Sequence, residues 1–159
     1  MWASNGLGMS DQWGRHIPDD YSQLCFSMLV WWTGTLERSF LPGSSVHRYS
    51  ITTKSSTPLA QFYGVTTING AKSVPSLQGD ILGDWREEVL LPTTDGSALR
   101  IYPSPEPTPY RFWTFLEDPV YRHSIANQHG GYNQPTHPGF YFGPDLKGHR
   151  IWFRGGYIE

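Results

Sequence analysis

Four carboxylates lie close together in the stretch QGDILGDWREEVLL, residues 78–91. They are Asp80, Asp84, Glu87 and Glu88. In an extended strand Asp80 and Asp84 would share a face, because side chains alternate with a period of two. Carboxylates that converge with loop carbonyls are the kind of oxygen ligand that Ca²⁺ prefers. The stretch therefore predicts a calcium site formed by these four side chains.

The same stretch also fits an ion-pair cluster around a buried tryptophan. In that interpretation Arg86 and Arg100 neutralise the carboxylates, and Trp85 lies in the core. Both interpretations make the carboxylates part of the scaffold, because the apolar run Val89-Leu90-Leu91 follows them directly and resembles a buried strand. We expect loss of these acidic groups to reduce stability in either case.

Two further residues, Lys72 and Tyr132, have chemistry suited to proton transfer. Lys72 ends the sequence Asn69-Gly70-Ala71-Lys72, and a lysine acts as a base where desolvation or a neighbouring cation lowers its pKa. Tyr132 follows Gly130-Gly131, and a glycine pair lets the backbone and the ring approach a ligand closely. The alternatives are a solvated loop lysine and a tyrosine that packs a turn.

Composition and charge exclude several classes of protein. The 159 residues suffice for one domain, and the formal net charge of -2 without a basic run argues against a nucleic-acid partner. No apolar stretch reaches the roughly 18 residues of a membrane-spanning helix. Cys25 is the single cysteine, so no intrachain disulfide forms. The start, MWASNGLG, lacks the charged and apolar segments of a secretory signal peptide.

The elements that must position these residues are short strands. Gly (17), Pro (13) and an aromatic content of 15% are typical of an all-β protein, and no long amphipathic helix is evident. We predict strands over residues 22–32, 46–52, 88–91, 98–102, 112–116, 139–142 and 150–153.

Turn signals define the connections between these strands. Asp95-Gly96 predicts a hairpin between the strands at 88–91 and 98–102. Residues 52–58 (TTKSSTP) are expected to form a polar connector, and 102–110, with four prolines, an extended loop. Pro119 is expected to open a short helical turn.

Several of these stretches resemble the rhamnogalacturonan lyases, polysaccharide lyase family 11. The resemblance is carried by the carboxylate stretch 78–91, by ALRIY at 98–102, by DPVYR at 118–122 and by YNQP at 132–135, with looser matches at MWAS and LVWWTG. It is dense and in order from Asn69 to Gly143. The resemblance implies an all-β fold of antiparallel sheets, about two blades of an eight-bladed β-propeller, as the C-terminal part of a lyase.

The resemblance also implies an activity and a set of site residues. The family cleaves the rhamnogalacturonan I backbone of pectin by calcium-assisted β-elimination and is secreted, so the implied location is extracellular. Asn69 to Lys72 resembles a loop that contacts substrate and supplies a catalytic lysine, and Lys72 lies 60 residues before a second implied catalytic residue, Tyr132. His129 and Asn133 complete the implied substrate-binding set, which is Asn69, Gly70, Ala71, His129 and Asn133.

Departures from the family pattern keep two other functions open. Thr33 and Thr35 occupy places where the family tends to have carboxylates, His129 a place where it tends to have asparagine, and the catalytic arginine would fall upstream of Met1. One alternative is a carbohydrate-binding module without catalysis. The other is a structural remnant that needs a partner chain, because an incomplete propeller leaves open sheet faces that favour association.

Overall fold

The computed structural model describes residues 2–4, 8–10, 13–17, 28–50, 52–70, 72–131 and 133–146, and its strands form three antiparallel sheets. The first contains β1 (Trp2–Ser4), β2 (Gly8–Ser10) and β3 (His16–Ile17). The second contains β4 (Leu29–Val30), β5 (Ser39–Phe40), β6 (Ser45–Ser50) and β7 (Ser55–Gln61). The third has the order β10 (Leu99–Tyr102), β9 (Glu88–Pro92) and β8 (Leu77–Gly79). The predicted fold of antiparallel sheets is confirmed, whereas propeller blades stay a prediction.

The hairpin of β9 and β10 forms where Asp95-Gly96 predicted it. Gly96 has a φ of 70°, a left-handed conformation that glycine adopts without strain. Asp95 accepts hydrogen bonds from the Thr93 hydroxyl at 2.5 Å and from the Ser97 backbone at 3.1 Å. These bonds, led by the one from Thr93, lower the pKa of Asp95 to about 2. The turn thereby fixes the register in which Leu99 pairs with Pro92.

The polar connector predicted at 52–58 is wrong, because a strand occupies most of it. β7 pairs along the whole length of β6, with Ser50 opposite Ser55 and Ser45 opposite Gln61. The turn between them is tight, and Lys54 has a φ of 52°. Backbone pairing with a neighbouring strand outweighs the polar composition of this segment, whose side chains are mostly exposed.

Two predicted strands are also wrong. Residues 112–116 contain no strand, and a 3-10 helix (Phe115–Glu117) begins there after the Thr114 side chain accepts the Leu116 N–H at 3.2 Å. Residues 139–142 are not in a strand either. Of the predicted strand at 22–32, only β4 is in a strand among the described positions 28–32, and the strand predicted at 150–153 lies outside the described residues.

The predicted helical turn at Pro119 is the start of a full α-helix, α1 (Pro119–Ala126). The Asp118 side chain caps it by accepting the Val120 N–H at 2.9 Å, and Pro119 occupies the first turn. The helix packs on β8 so closely that a Cβ at Gly79 would lie 2.9 Å from Cδ1 of Ile125. No helix of the described residues is long and apolar enough to cross a membrane.

Two apolar cores stabilise these elements. The first lies between the second and third sheets and contains Met28, Val30, Trp32, Leu41, Val46, Phe62, Val74, Val89 and Leu91. The second is largely aromatic and joins α1 to the loops around it through Trp31, Leu36, Trp85, Phe115, Tyr121, Phe142 and Leu146. Each large side chain that is fully buried contributes roughly 1.5–3 kcal/mol. The carboxylates of 78–91 lie beside this second core.

Candidate functional site

The segment that begins at Asn69 forms a tight turn. Ile68 and Val74 face each other in an isolated antiparallel bridge, with hydrogen bonds of 2.9 and 3.1 Å. Within the turn, the Lys72 N–H donates to the Asn69 carbonyl at 2.8 Å, and Asn69 and Gly70 have positive φ angles of 56° and 21°. Asparagine and glycine tolerate this conformation better than most residues. The turn therefore fixes the backbone positions of Asn69 and Lys72 relative to each other.

The segment that follows α1 and contains His129 and Asn133 contacts this turn. Its position is set by Gln128, whose side-chain carbonyl accepts the Gln78 N–H at 2.9 Å and whose amide donates to the Gln78 carbonyl. Gln128 is 1% exposed, so this pair of bonds is shielded from water and docks the segment firmly on β8.

Side-chain hydrogen bonds join the two segments in one chain. The Asn69 amide donates to Oδ1 of Asn133, and the Asn133 amide lies 2.6 Å from Nδ1 of His129. Nε2 of His129 then bonds to the carbonyl of Ser76, directly before β8. Three of the predicted substrate-binding residues are therefore brought together, although 64 residues separate Asn69 from Asn133.

The predicted catalytic pair is described only in part. Lys72 is half-buried on the turn beside Asn69. Tyr132 and Ala71 lie outside the described residues, but the neighbours of Tyr132 are described: Gly131 has a φ of 111°, and Asn133 is left-handed at 48° and 6% exposed. The predicted catalytic roles stay predictions.

Glu87 is a buried acceptor surrounded by protein donors. It is 0% exposed, and its oxygens accept four hydrogen bonds from other segments. The donors are the Tyr121 hydroxyl at 2.8 Å and the Thr136 hydroxyl on Oε1, with the Gln78 amide and the Trp31 N–H, both at 2.9 Å, on Oε2. With four donors already in place, Glu87 does not fit the role of a calcium ligand.

The cation that accompanies Glu87 is Arg38. Its Nη2 lies 3.8 Å from Oε2 of Glu87 and donates to the carbonyls of Leu29 at 2.8 Å and Thr136 at 2.6 Å. Its guanidinium carbon lies 4.2 Å from the centre of the Trp31 ring, a cation–π contact. The interpretation as an ion-pair cluster was right in kind for Glu87 but did not include this arginine.

Of the two arginines that the sequence suggested, only Arg86 pairs with one of the carboxylates. Arg86 pairs with Asp84 and also donates to the Glu106 carbonyl. Arg100 instead donates to the Tyr63 carbonyl at 3.0 Å, so its predicted place beside the carboxylates is wrong. Trp85 is 1% exposed, as the cluster interpretation required.

Asp80 and Glu88 are buried carboxylates of a different kind. Oε2 of Glu88 accepts the backbone N–H groups of Ile81 and Leu82 at 2.8 and 2.9 Å. Burial raises the pKa of Glu88 to about 7, and the negative charges of Asp84 and Asp80 add to the effect. Burial also raises the pKa of Asp80. The hydrogen bonds that Oδ2 accepts from Thr114 and Phe115, both at 2.7 Å, lower this pKa but do not cancel the effect of burial.

These carboxylates give a test of the predicted calcium site. Oδ1 of Asp80 is buried with no hydrogen-bond partner, and Asp80, Asp84 and Glu88 repel one another's negative charge. A cation would compensate both features at Asp80 and Glu88, whereas Asp84 is already paired with Arg86. Within the described part of the chain, no three His, Cys, Asp or Glu side chains lie where they could hold a metal ion together, so a site at Asp80 and Glu88 would need carbonyls and water as its other ligands.

Sequence reasoning missed several residues that organise this region. They are Arg38, Ser76, Gln78, Gln128 and Thr136, which bond to Glu87 or position His129. Their sequence separation from the groups they contact is between 9 and 98 residues, so no local pattern connects them. Tyr121 and Thr136 had a weak signal, since they lie in or beside the family-like stretches 118–122 and 132–135.

Comparison with known proteins identifies the family of this chain. The model of the family described as "Rhamnogalacturonan lyase family 11, C-terminal domain" matches residues 1–150. The chain therefore belongs to the rhamnogalacturonan lyase family 11 and corresponds to its C-terminal domain.

Three relatives illustrate the similarity. The chain is 44% identical over 117 residues to the rhamnogalacturonan endolyase YesW of Bacillus subtilis (strain 168), covering 74% of this chain and 19% of YesW. It is 40% identical over 126 residues to the exolyase YesX of the same organism, covering 74% and 21%. A solved structure of the Bacillus licheniformis rhamnogalacturonan lyase PL11 superposes with a TM-score of 0.73 at 43% identity, covering 75% and 20%. The chain thus spans about a fifth of the length of the curated relatives it matches.

Proposed function

We propose that this chain is part of a polysaccharide lyase that cleaves the rhamnogalacturonan I backbone of pectin by β-elimination. The observation that carries the proposal is the hydrogen bond between Asn69 and Asn133. It joins the two segments in which the sequence resembles the substrate-binding residues of the family. The names of the relatives support the substrate class, since both curated relatives are rhamnogalacturonan lyases.

The proposed reaction assigns roles to Lys72 and Tyr132. Nζ of Lys72 in its neutral form would take the proton beside the galacturonate carboxylate, and the electron pair of that C–H bond would form a C=C bond as the glycosidic C–O bond breaks. Tyr132 would give its proton to the leaving oxygen. An arginine from outside this chain would neutralise the galacturonate carboxylate, as the family resemblance implies.

We also propose Ca²⁺ as a structural ion of the scaffold beneath this face. Asp80 and Glu88 would hold it, with carbonyls and water as the remaining ligands. When bound, Ca²⁺ would supply the positive charge that these buried carboxylates lack. Asp80 also accepts the Phe115 N–H, so the ion would stabilise the junction between β8 and the 3-10 helix.

The first test is ultraviolet absorbance while this chain, together with the protein that supplies the arginine, is incubated with rhamnogalacturonan I and Ca²⁺. β-Elimination leaves a conjugated double bond, so absorbance rises, whereas hydrolysis and simple binding leave it flat. Lys72→Ala should abolish the rise at unchanged melting temperature. Lys54→Asn is the matched control, because it removes a lysine from the turn between β6 and β7 with a residue that tolerates its φ of 52°. Full activity of Lys72→Ala would refute the assigned base.

A non-catalytic carbohydrate-binding module is the second candidate. The observation in its favour is the exposure of large aromatic side chains, with Trp113 57% and Tyr141 59% exposed. Such rings can stack on sugar rings. A binding module would give no absorbance change and would keep its affinity for oligosaccharides in Lys72→Ala, whereas Trp113→Ala would weaken it.

The proposed lyase implies a place of action and a need for further protein surface. Pectic polysaccharides are extracellular, so we place the activity outside the cell. Leu99 and Ile101 of β10 are 60% and 48% exposed, and both lie on one face because they alternate with Arg100. These residues fit association with further β-structure, the role foreseen for an open sheet face.

A further inference from the structure

His129 uses both ring nitrogens for contacts within the protein. Nε2 bonds to the Ser76 carbonyl, which only accepts hydrogen bonds, so Nε2 must carry the proton. Nδ1 of the neutral ring is then an acceptor, and the Asn133 amide donates to it at 2.6 Å. His129 is therefore held in one orientation and one tautomer.

The direction of this hydrogen bond extends to the turn of Asn69. Because the Asn133 Nδ2 group faces His129, its Oδ1 faces Asn69 and accepts the Asn69 amide. Every bond in the chain from Asn69 to Ser76 thus runs with the same polarity. Asn69 and Asn133 are both held at positive φ, so a fixed amide orientation joins two backbone turns that are conformationally costly.

Protonation of His129 would break this arrangement. Nδ1 would then carry a hydrogen and would face the hydrogens of the Asn133 amide. Turning that amide by 180° would restore the bond to His129, but it would direct Nδ2 of Asn133 at Nδ2 of Asn69, two donors against each other. Once His129 is charged, both neighbours of Asn133 are satisfied only if the Asn69 amide turns as well, and this turn exchanges the donor and the acceptor that Asn69 presents.

We propose that His129 is a positioning residue, which in its neutral form orients the Asn133 amide and through it the Asn69 amide for sugar binding, and which on protonation reverses both amides. The inference rests on the proposed function, because the turn is taken to bind the pectic sugar. His129 would act through Asn133, since both of its ring nitrogens are already bonded.

The charged groups on the neighbouring elements are few. The turn contributes Lys72, and the described residues from Ser76 to Gly79 contribute no titratable side chain. In the helix before His129, His123 bonds to the Pro119 carbonyl at 2.9 Å. After His129, the next titratable side chain beyond Asn133 among the described residues is His137. A measured pH dependence must therefore be assigned to His129 with variants.

The test is the affinity of the full chain for a rhamnogalacturonan I oligosaccharide between about pH 8 and about pH 5, the range in which imidazoles titrate. We expect the wild-type affinity to fall about tenfold on acidification, the equivalent of one lost hydrogen bond of about 1.4 kcal/mol. His129→Asn keeps an acceptor for Asn133 that cannot be protonated, so its affinity should stay high and independent of pH. His129→Ala removes the acceptor and should bind weakly at every pH.

The opposite sign has a different meaning. If His129 touches the sugar directly, its positive charge attracts the galacturonate carboxylate, and affinity rises on acidification. A rising or flat profile in the wild type, or a profile in His129→Asn that still falls, would overturn the positioning role.

A readout without sugar separates this inference from the proposed function. In nuclear magnetic resonance spectra, the side-chain amide signals of Asn69 and Asn133 should shift together with the His129 ring as the pH falls, and stay in place in His129→Asn. Amide signals that do not follow the ring would refute the positioning role even if the sugar binds. If no oligosaccharide binds at any pH but the signals move together, the proposed function fails and the conformational coupling stands.

Discussion

The Tyr121 hydroxyl donates to Oε1 of Glu87 at 2.8 Å, and the hydroxyl oxygen of Tyr121 accepts the Asp80 N–H at 2.9 Å. Burial, followed by the charge of Glu87, raises the pKa of Tyr121 well above its usual value. The hydroxyl therefore keeps its proton and donates to the carboxylate. This one side chain connects α1 with both ends of the acidic stretch.

Tyr121→Phe should destabilise the protein by about 2 kcal/mol. The change removes one of the hydrogen-bond donors to the buried Glu87 carboxylate. It also removes the acceptor of the Asp80 N–H. Chemical denaturation would measure the loss. The matched control is Tyr141→Phe, which removes a hydroxyl that donates to Asp145 on an exposed surface, and it should change stability by less than about 0.5 kcal/mol. Equal effects of the two changes would contradict the buried network.

Glu88 should make stability depend on pH when calcium is absent. Its folded-state pKa, about 7, is raised from an ordinary value of 4.5, so the folded state binds the proton more tightly than the unfolded state. The free energy of unfolding should therefore fall as the pH rises from about 4.5 to about 7. Burial acts on Asp80 in the same direction. Glu88→Gln should give a shallower slope in this window, whereas parallel slopes in wild type and variant would count against the raised pKa.

Calcium should raise the melting temperature through Asp80. At a concentration of 100 times its dissociation constant, a ligand stabilises the folded state by about 2.7 kcal/mol, which corresponds to about 5–10 °C for a domain of this size. Asp80→Asn should lose this response, because it weakens the negative charge that holds the ion. Asp95→Asn, a carboxylate change in the exposed hairpin turn, should retain it. Identical melting curves with Ca²⁺ and with a chelator would leave the carboxylates without a metal role.

The exposed face of β10 should cause self-association of the isolated chain. Replacing Leu99 and Ile101 together by threonine keeps β-propensity but removes apolar surface, so the apparent mass in size-exclusion chromatography should fall towards that of a monomer. Leu82→Thr removes a side chain that is 61% exposed in a loop, and it should leave the mass unchanged. A monomeric wild-type chain would speak against this use of the face.

The sequence predicted those elements whose hydrogen bonds join residues close together in the chain. Asp95-Gly96 set a turn through bonds within five residues, and Pro119 marked a helix start that Asp118 caps. The strand β7 escaped detection, because its Ser and Thr residues gain their conformation from pairing with β6. Residues 112–116 have the aromatic composition of a strand, yet the Phe115 N–H bonds to Asp80, 35 residues away.

The candidate site shows the same division. The family-like stretches indicated Asn69, His129 and Asn133, which the structure joins by hydrogen bonds. The carboxylates of 78–91 all looked alike as metal ligands, and only their partners distinguish them. Glu87 is saturated by donors from distant segments, among them Trp31 at a separation of 56 residues, whereas Oδ1 of Asp80 has none. Such partnerships depend on the tertiary fold and have no pattern in the sequence.

Glu87 accepts hydrogen bonds from four separate segments of the chain. We therefore expect these segments to unfold together when the protein opens locally. If any of them left alone, it would expose a buried carboxylate and the guanidinium of Arg38 at once. The Trp31 N–H donates to the Glu87 carboxylate and the Glu87 N–H donates to the Trp31 carbonyl, so both amides should exchange their hydrogens with heavy water only through one concerted event. The described residues of the Asn69 turn have no hydrogen bond to that carboxylate, so we expect their amides to exchange without that concerted event.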